Sequence, residues 1–454
     1  MWPLLEIEVG QVVVLNAVQV NELCRTPLLG LELTPDSSLS ALPPLGPTRF
    51  LVAKARPMSN SNAQNEPVSP VKARRLAYCH SQGWEQQEAA AKAFPRNTPD
   101  KGYVSRQIAW AKEQEILRTV IDPNQFPTEE LRRIRESIHH APCLRVERAL
   151  SAQSNGTLQS VWVFHSGDRT ADPGKRLARF GANSAWYIRE LLRSTESGVV
   201  ATAFGATIGA ICRAVVRQAI GDPIRLTTGK KVTVIPVMGD PLGKLDEQRS
   251  TTSTAIAKLL SQAFADINPP PSLDGVLPVL PRSIPDDQVD LFRDRLYRQL
   301  EGYAAVFGAK RTSSDALILK TDVILSSAGF FHSPYWEDFG NDAVSPDALA
   351  KKAEIQELAD GDIAGVLVRK AALSDAQVER FDSLMRHWMG VRMSDFERVA
   401  ERAAAAAGGP AGCVLCCIGK KAKIVKHLIT VEKIVNHLIC DEELLGGLSG
   451  DLEV

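Results

Sequence analysis

The stretch Gly198–Ala210, read as Gly-Val-Val-Ala-Thr-Ala-Phe-Gly-Ala-Thr-Ile-Gly-Ala, constrains the fold more than any other part of the chain. Val199 to Phe204 has the length and apolar composition of a buried strand. Gly205-Ala206-Thr207 follows, and then Ile208, Ile211, Val215 and Val216 recur at helical spacing. A strand, a turn of small residues and a helix start make one βα unit, the building block of a parallel sheet. Small side chains let a ligand approach the backbone, and the first helical N–H groups with the helix dipole favour an anion. An ordinary βα turn packed by glycine has the same composition, so this stretch alone leaves both readings open.

The same alternation fills the C-terminal two thirds. The expected strands are Leu144–Ala149, Val161–Phe164, Val199–Phe204, Val232–Val237, Asp322–Ser326, Ile363–Val368, Cys413–Ile418 and Ile434–Ile439. Between them the periodicity predicts helices over Arg176–Leu192, Thr207–Gln218, Thr252–Phe264, Val289–Val306, Ser394–Ala407 and Ala422–Leu428. Apolar strands alternating with helices predict an α/β domain with a mostly parallel, Rossmann-like sheet. Such sheets bind ligands outside the carboxyl ends of their strands. Small and polar residues collect there: Met238-Gly239-Asp240 after Val237, Ser326-Ser327-Ala328-Gly329 after Leu325, Gly419-Lys420-Lys421 after Ile418, and Cys440-Asp441-Glu442 after Ile439. Together with Gly205–Thr207 they predict a polar-ligand cleft. Lysine meets a phosphate as a point charge.

Upstream, three short helices are expected within Val71–Val120: one ending at Gly83, a second over Trp84–Phe94, and a third over Gly102–Leu117 after the turn Pro95–Asp100. Three helices with a tight turn before the last suggest a helix-turn-helix. This stretch holds nine Lys or Arg (Lys72, Arg74, Arg75, Lys92, Arg96, Lys101, Arg106, Lys112, Arg118) against five acids (Glu85, Glu88, Asp100, Glu113, Glu115). It is a net basic module inside a chain with 53 basic and 53 acidic residues, as phosphate binding wants. Lys101, Tyr103, Ser105, Arg106 and Gln107 lie in the N-terminal half of the third helix, where a recognition helix meets base edges. A solvated helical bundle is the competing reading.

Residues 1–69 are read as a poorly structured N-terminal extension, with a weak strand signal at Val12–Leu15 and a polar tract from Met58, a candidate functional start. Residues 70–122 form the helix-turn-helix module, 123–143 a linker helix centred on Pro127–His139, and 144–454 the effector domain. No apolar run reaches the roughly 18–20 residues of a spanning helix, and no signal peptide is legible. The expected localisation is cytoplasmic. Eight cysteines are too sparse for a disulfide scaffold. Cys413-Val-Leu-Cys416-Cys417 has a C-x-x-C spacing but sits in an apolar run, so it is read as a buried strand rather than a metal or redox site.

The chain resembles the SorC (deoxyribonucleoside-regulator-like) family of sugar-responsive transcriptional regulators over roughly Leu76 to Gly447. The resemblance is carried by Gln86-Gln-Glu-Ala-Ala-Ala, Val104-Ser-Arg and Ala111-Lys-Glu in the helices. In the effector domain it is carried by Phe204-Gly-Ala-Thr, Val234-Ile-Pro-Val-Met-Gly239, Asp322-Val-Ile-Leu-Ser-Ser-Ala-Gly329, Lys421-Ala422 and Leu438-Ile-Cys-Asp-Glu442. It implies a DNA-binding module followed by an effector domain similar in fold to ribose-5-phosphate isomerase and glucosamine-6-phosphate deaminase. It further implies a phosphorylated sugar as effector, operator DNA as partner, and a homodimer or homotetramer. Carried over by position, Gly205, Ala206 and Thr207 would hold the phosphate, and Gly239, Asp240 and Gly329 would line the pocket. Lys421 would face the effector and Asp441 would stand at its rim. The turn before Val104 is longer than the family's and holds Pro95 and Pro99, and Cys417-Ile418 replaces a Gly-Gly pair. No catalysis, cofactor or metal is required. The alternatives are a carbohydrate-binding protein that no longer binds DNA and an isomerase- or deaminase-like enzyme using Asp240 or Asp441 as base.

Overall fold

In a computed structural model of the chain, the residues described are 32–34, 52–54, 69–81, 84–94, 99–113, 141–167, 170, 172–240, 251–273, 275–281, 284–310, 313–329, 353–405 and 409–450. Two compact units divide it, Met1–Pro67 and Val68–Val454. In the first, β1 (Glu32–Thr34) pairs antiparallel with β2 (Val52–Lys54), Leu33 facing Ala53. The expected strand at Val12–Leu15, the tract from Met58 and the linker helix Pro127–His139 lie outside the described residues.

The second unit is built on six parallel strands: β3 (Ser160–Val163), β4 (Val199–Thr202), β5 (Thr233–Pro236), β6 (Val323–Ser326), β10 (Gly412–Cys417) and β11 (His437–Cys440). Their order across the sheet is β3-β11-β10-β6-β4-β5, every pair parallel. Strands covered on both faces read as near-continuous apolar runs, which is why these segments were legible. The two faces separate by strand parity. Val199, Ala201, Ile324, Cys413, Leu415 and Leu438 enter one hydrophobic cluster, and Val200, Val323, Leu325, Val414, Cys416 and Ile439 the other. Cys413 and Cys416 therefore point to opposite faces, and the C-x-x-C spacing is a strand pattern.

The second face is covered by α5 (Pro173–Arg193), α6 (Ala206–Ala219), α7 (Ser253–Ser261) and three earlier helices, α1 (Pro70–Ser81), α2 (Gln86–Ala93) and α3 (Lys101–Glu113). The first face takes α4 (Ala141–Gln153), α12 (Met393–Ala405), α13 (Ala422–Thr430) and α14 (Glu442–Gly450). A small antiparallel sheet of β7 (Ala328–Gly329), β8 (Ala359–Ile363) and β9 (Val366–Arg369) springs from the end of β6. Among the described residues no helix is long and apolar enough to cross a membrane.

Three expectations are corrected. Leu144–Ala149 is part of α4, not a strand: Leu144 and Val146 alternate with charges, but Cys143, Val146 and Leu150 are the buried face of a helix. Ile363–Val368 is a hairpin, with Ala364 (φ 50°) and Gly365 (φ 81°) supplying the two positive-φ residues of a tight turn between β8 and β9. Val289–Val306 is broken into α8 (Asp286–Arg295), a 3₁₀ turn at Tyr297–Gln299 and α9 (Glu301–Phe307), because Leu300 is extended.

The connection after β4 leads outward to β5, and that after β6 leads the other way, toward β10 and β11. The direction of winding thus reverses between β4 and β6. The crevice beyond their carboxyl ends is the switch point where open α/β sheets hold ligands.

Candidate functional site

Gly205 sits at the end of β4 as the N-cap of α6, with φ 111° and ψ 160°, a region that only glycine adopts freely. Its N–H donates to the Thr251 carbonyl at 2.9 Å, so the start of α7 lies against the start of α6. Ser253 fixes the same junction: its Oγ donates to the Thr202 carbonyl at 2.7 Å and accepts from the Val237 N–H at 2.9 Å. Two helix N-termini are thereby brought to the carboxyl end of one strand, each with outward N–H groups and a positive dipole end. No described atom lies within 4 Å of where a Gly205 Cβ would stand.

Two hydroxyls at this junction are buried without a hydrogen-bond partner among the described residues. They are Thr202 Oγ1, on the last residue of β4, and Thr254 Oγ1, in the first turn of α7. An unpaired buried hydroxyl costs about 1–3 kcal/mol. Thr207, also buried, stands in the first turn of α6. Arg213 of α6 is exposed, and its Nη1 lies 3.4 Å from where a Gly209 Cβ would stand, one turn into the helix. Thr202, Thr254 and Arg213 were not singled out from the sequence. The run Thr251-Thr252-Ser253-Thr254 at a helix start was the available signal.

The other expected site residues fall along the same edge. Asp240 follows β5, and its Oδ1 accepts from the Thr254 N–H at 3.5 Å. Gly239 has a packing role, since a Cβ there would stand 1.9 Å from the Val276 carbonyl oxygen. Lys421, at the start of α13, donates from Nζ to the Ala328 carbonyl at 2.6 Å, beside Gly329. A Cβ on Gly329 would meet Asp362 Oδ2 at 2.8 Å, so this glycine makes room for a buried carboxylate. Asp441 is not at a rim. It is 1% exposed and accepts from Gly419 N–H (3.0 Å), Leu444 N–H (3.0 Å), Ser166 Oγ (3.1 Å) and Arg176 Nη2 (3.0 Å). It lies three strands from β4, about 14 Å at ordinary strand spacing. The structure thus groups Gly205, Ala206, Thr207 and Asp240 at the switch point and Gly329 with Lys421 one to two strands away, and makes Asp441 a buried tie.

Of the residues expected to meet DNA, Lys101 and Arg106 are exposed on α3 and Ser105 is half-buried, bonded to Gln86 at 3.0 Å. Tyr103 and Gln107 are buried, Gln107 accepting from the Ser69 N–H at 3.2 Å. Inward-facing side chains do not read base edges, which corrects the assignment of those two. The α1–α3 module is seated on the sheet: Tyr78 lies 6.3 Å from Trp162, and Trp84 stacks 4.1 Å from His165. Lys92 covers the Trp84 ring at 3.6 Å and pairs with Glu442 at 3.2 Å. Burial alone would raise the Glu442 carboxyl, but hydrogen bonding to His165 and the charge of Lys92 hold it below its usual range.

Two buried groups give opposed pH dependences. Burial pushes Asp362 from 3.8 up to about 6, although the Gly365 N–H and Lys421 pull it down. Its folded form keeps a proton that the unfolded chain releases, so this contribution is full below 3.8 and lost as pH rises through 6. His437 is lowered from 6.5 to about 4 by burial, beside Ser160 and Tyr187. Its contribution is full above 6.5 and lost as pH falls toward 4. Each amounts to about 3 kcal/mol. Relative to the natural chain, Asp362→Asn should leave stability rising between pH 4 and 6, and His437→Asn should leave it falling. Urea unfolding across that range checks this; slopes of the same sign contradict it.

No protein-family model matches the sequence, and no curated protein matches it. Solved structures do. A transcriptional regulator from Streptococcus pneumoniae TIGR4 is similar at 12% identity, over 69% of this chain and 99% of that one, with a TM-score of 0.46. A DeoR family transcriptional regulator from Listeria monocytogenes matches at 11% identity, over 67% and 99%, with a TM-score of 0.40. The domain of a possible sugar-binding transcriptional regulator from Arthrobacter aurescens TC1 matches at 15%, over 68% and 97%, with a TM-score of 0.44. These are likenesses of outline.

Proposed function

We propose that the chain is a regulator that binds a phosphorylated sugar at the β4–β6 switch point and DNA through its α1–α3 module. One observation carries the first half. The N-termini of α6 and α7 converge on the end of β4, where Thr202 and Thr254 keep buried hydroxyls without a partner among the described residues. A phosphate fits this chemistry, because its oxygens accept from hydroxyls and helix N–H groups together. Gly205, Ala206, Thr207, Thr202 and Thr254 would hold the phosphate, Arg213 would meet its charge from solvent, and Asp240 would accept from sugar hydroxyls. Lys421 stands farther along the edge, over the small sheet.

The DNA half is supported by the exposed cations Lys101, Arg106 and Lys112 on one side of α3. Ligand at the sheet edge would be felt by the module through the Lys92–Glu442 pair and the Trp84–His165 stack. The effector then shifts a two-state equilibrium by its different affinity for the two arrangements. The active form in this reading is a homodimer or homotetramer in the cytoplasm. A mobility-shift titration over salt tests the DNA half: retention should fall steeply with salt, and Arg106→Ala should reduce the slope by about 1. Absent or salt-insensitive retention contradicts it.

A further inference from the structure

Helix α8 is stripe-sided in an unusual way. Val289 and Arg293 turn inward, while Leu291 is 51% exposed on the opposite side, flanked by Phe292 and followed by the exposed Leu296 and Leu300. Contiguous exposed apolar side chains mark an interaction surface. The charges around them are sorted. Asp286 meets His387 and Arg386, Asp290 pairs with Arg293, and Asp294 pairs with Arg298. Asp287 and Arg295 are exposed and have no ion-pair partner among the described residues. They stand four residues before and four after Leu291, on its side of the helix.

We infer that α8 is the interface through which two copies of this chain associate, packed antiparallel about a two-fold axis at Leu291. An isologous contact sets a patch against itself, so what lies before the axis meets what lies after it. Leu291 then meets its own copy, and Asp287 of each chain meets Arg295 of the other. The acidic N-terminal end of one α8 also lies beside the basic C-terminal end of the other. A partner of single charge sign would satisfy only one end of this stripe. A second copy satisfies both. The inference gives a surface to the assembly named above and does not depend on sugar binding.

The test is sedimentation velocity of the full chain over a wide concentration range, with melting curves as the folding control. Leu291→Asp, Asp287→Arg and Arg295→Asp should each weaken self-association about tenfold or more, and the double swap Asp287→Arg/Arg295→Asp should recover most of it. Recovery in the double variant cannot come from a firmer α8, because both changes oppose the helix dipole. A chain that is monomeric throughout, an assembly indifferent to Leu291→Asp, or a double swap no better than the single ones would overturn the inference. Sugar-phosphate binding, measured on the same samples, reports separately on the proposed ligand site.

Discussion

Asp441→Ala should cost the fold about 3–5 kcal/mol, the range for breaking a buried charged pair from one side. The carboxylate gathers three separate segments. Ser166 and Arg176 lie in the connection after β3 and in α5, Gly419 lies in the turn after β10, and Leu444 is in the first turn of α14. Removing it leaves two backbone N–H groups and the Ser166 hydroxyl without this acceptor, and leaves Arg176 with Glu443 at 3.1 Å and Ser166 Oγ at 3.4 Å. Against a total stability of about 5–15 kcal/mol this is a large share. Asp441→Asn keeps an oxygen for the two N–H groups but loses the charge facing Arg176, and should fall between. Urea unfolding decides. A loss under about 1 kcal/mol for Asp441→Ala would mean that the tie is not a structural one.

Gly205→Val should reduce affinity for a phosphorylated sugar at least about a hundredfold, which is about 2.7 kcal/mol. Two effects combine. The new side chain enters the space against the two helix N-termini, and the backbone at φ 111° resists any residue with a Cβ at about 1–3 kcal/mol. Gly239→Ala serves as the contrast. Its cost is one of packing, because the Cβ meets the Val276 carbonyl, so stability should fall with a smaller direct effect on binding. Calorimetry on both variants, with circular dichroism to confirm folding, separates the cases. Affinity within a few-fold of the natural chain in Gly205→Val would remove the phosphate from this turn.

Much of this architecture can be read in the sequence, for a physical reason. A parallel sheet covered on both faces needs short apolar runs, and the strands at Val199, Val323 and Cys413 are such runs. Alternation fails as a guide where charges sit between apolar residues on a helix, as at Leu144-Arg145-Val146-Glu147, because period two and period 3.6 agree over so short a span. The turn Gly205–Thr207 was legible because only a βα junction strings small residues between a strand and a helix. Thr202 and Thr254 were not. One reads as a β-branched strand residue and the other as part of a helix cap, and only the packing of α7 on the end of β4 shows that both hydroxyls are buried without a partner among the described residues. A carboxylate at a strand end looks the same in sequence whether it faces solvent or, as Asp441 does, ties three segments together.

The ligand site can be tested by a single paired measurement on Thr202→Val with Thr254→Val. Valine keeps the shape of threonine and removes a buried hydroxyl that has no partner among the described residues, so the ligand-free double variant should gain about 1 kcal/mol or more in unfolding free energy. The natural chain should be stabilised by about 2.7 kcal/mol at a hundred times the dissociation constant of a phosphorylated sugar, and not by the same sugar without its phosphate. The double variant should lose that response. A variant that is less stable without ligand and still responds to the phosphorylated sugar as the natural chain does would contradict the site.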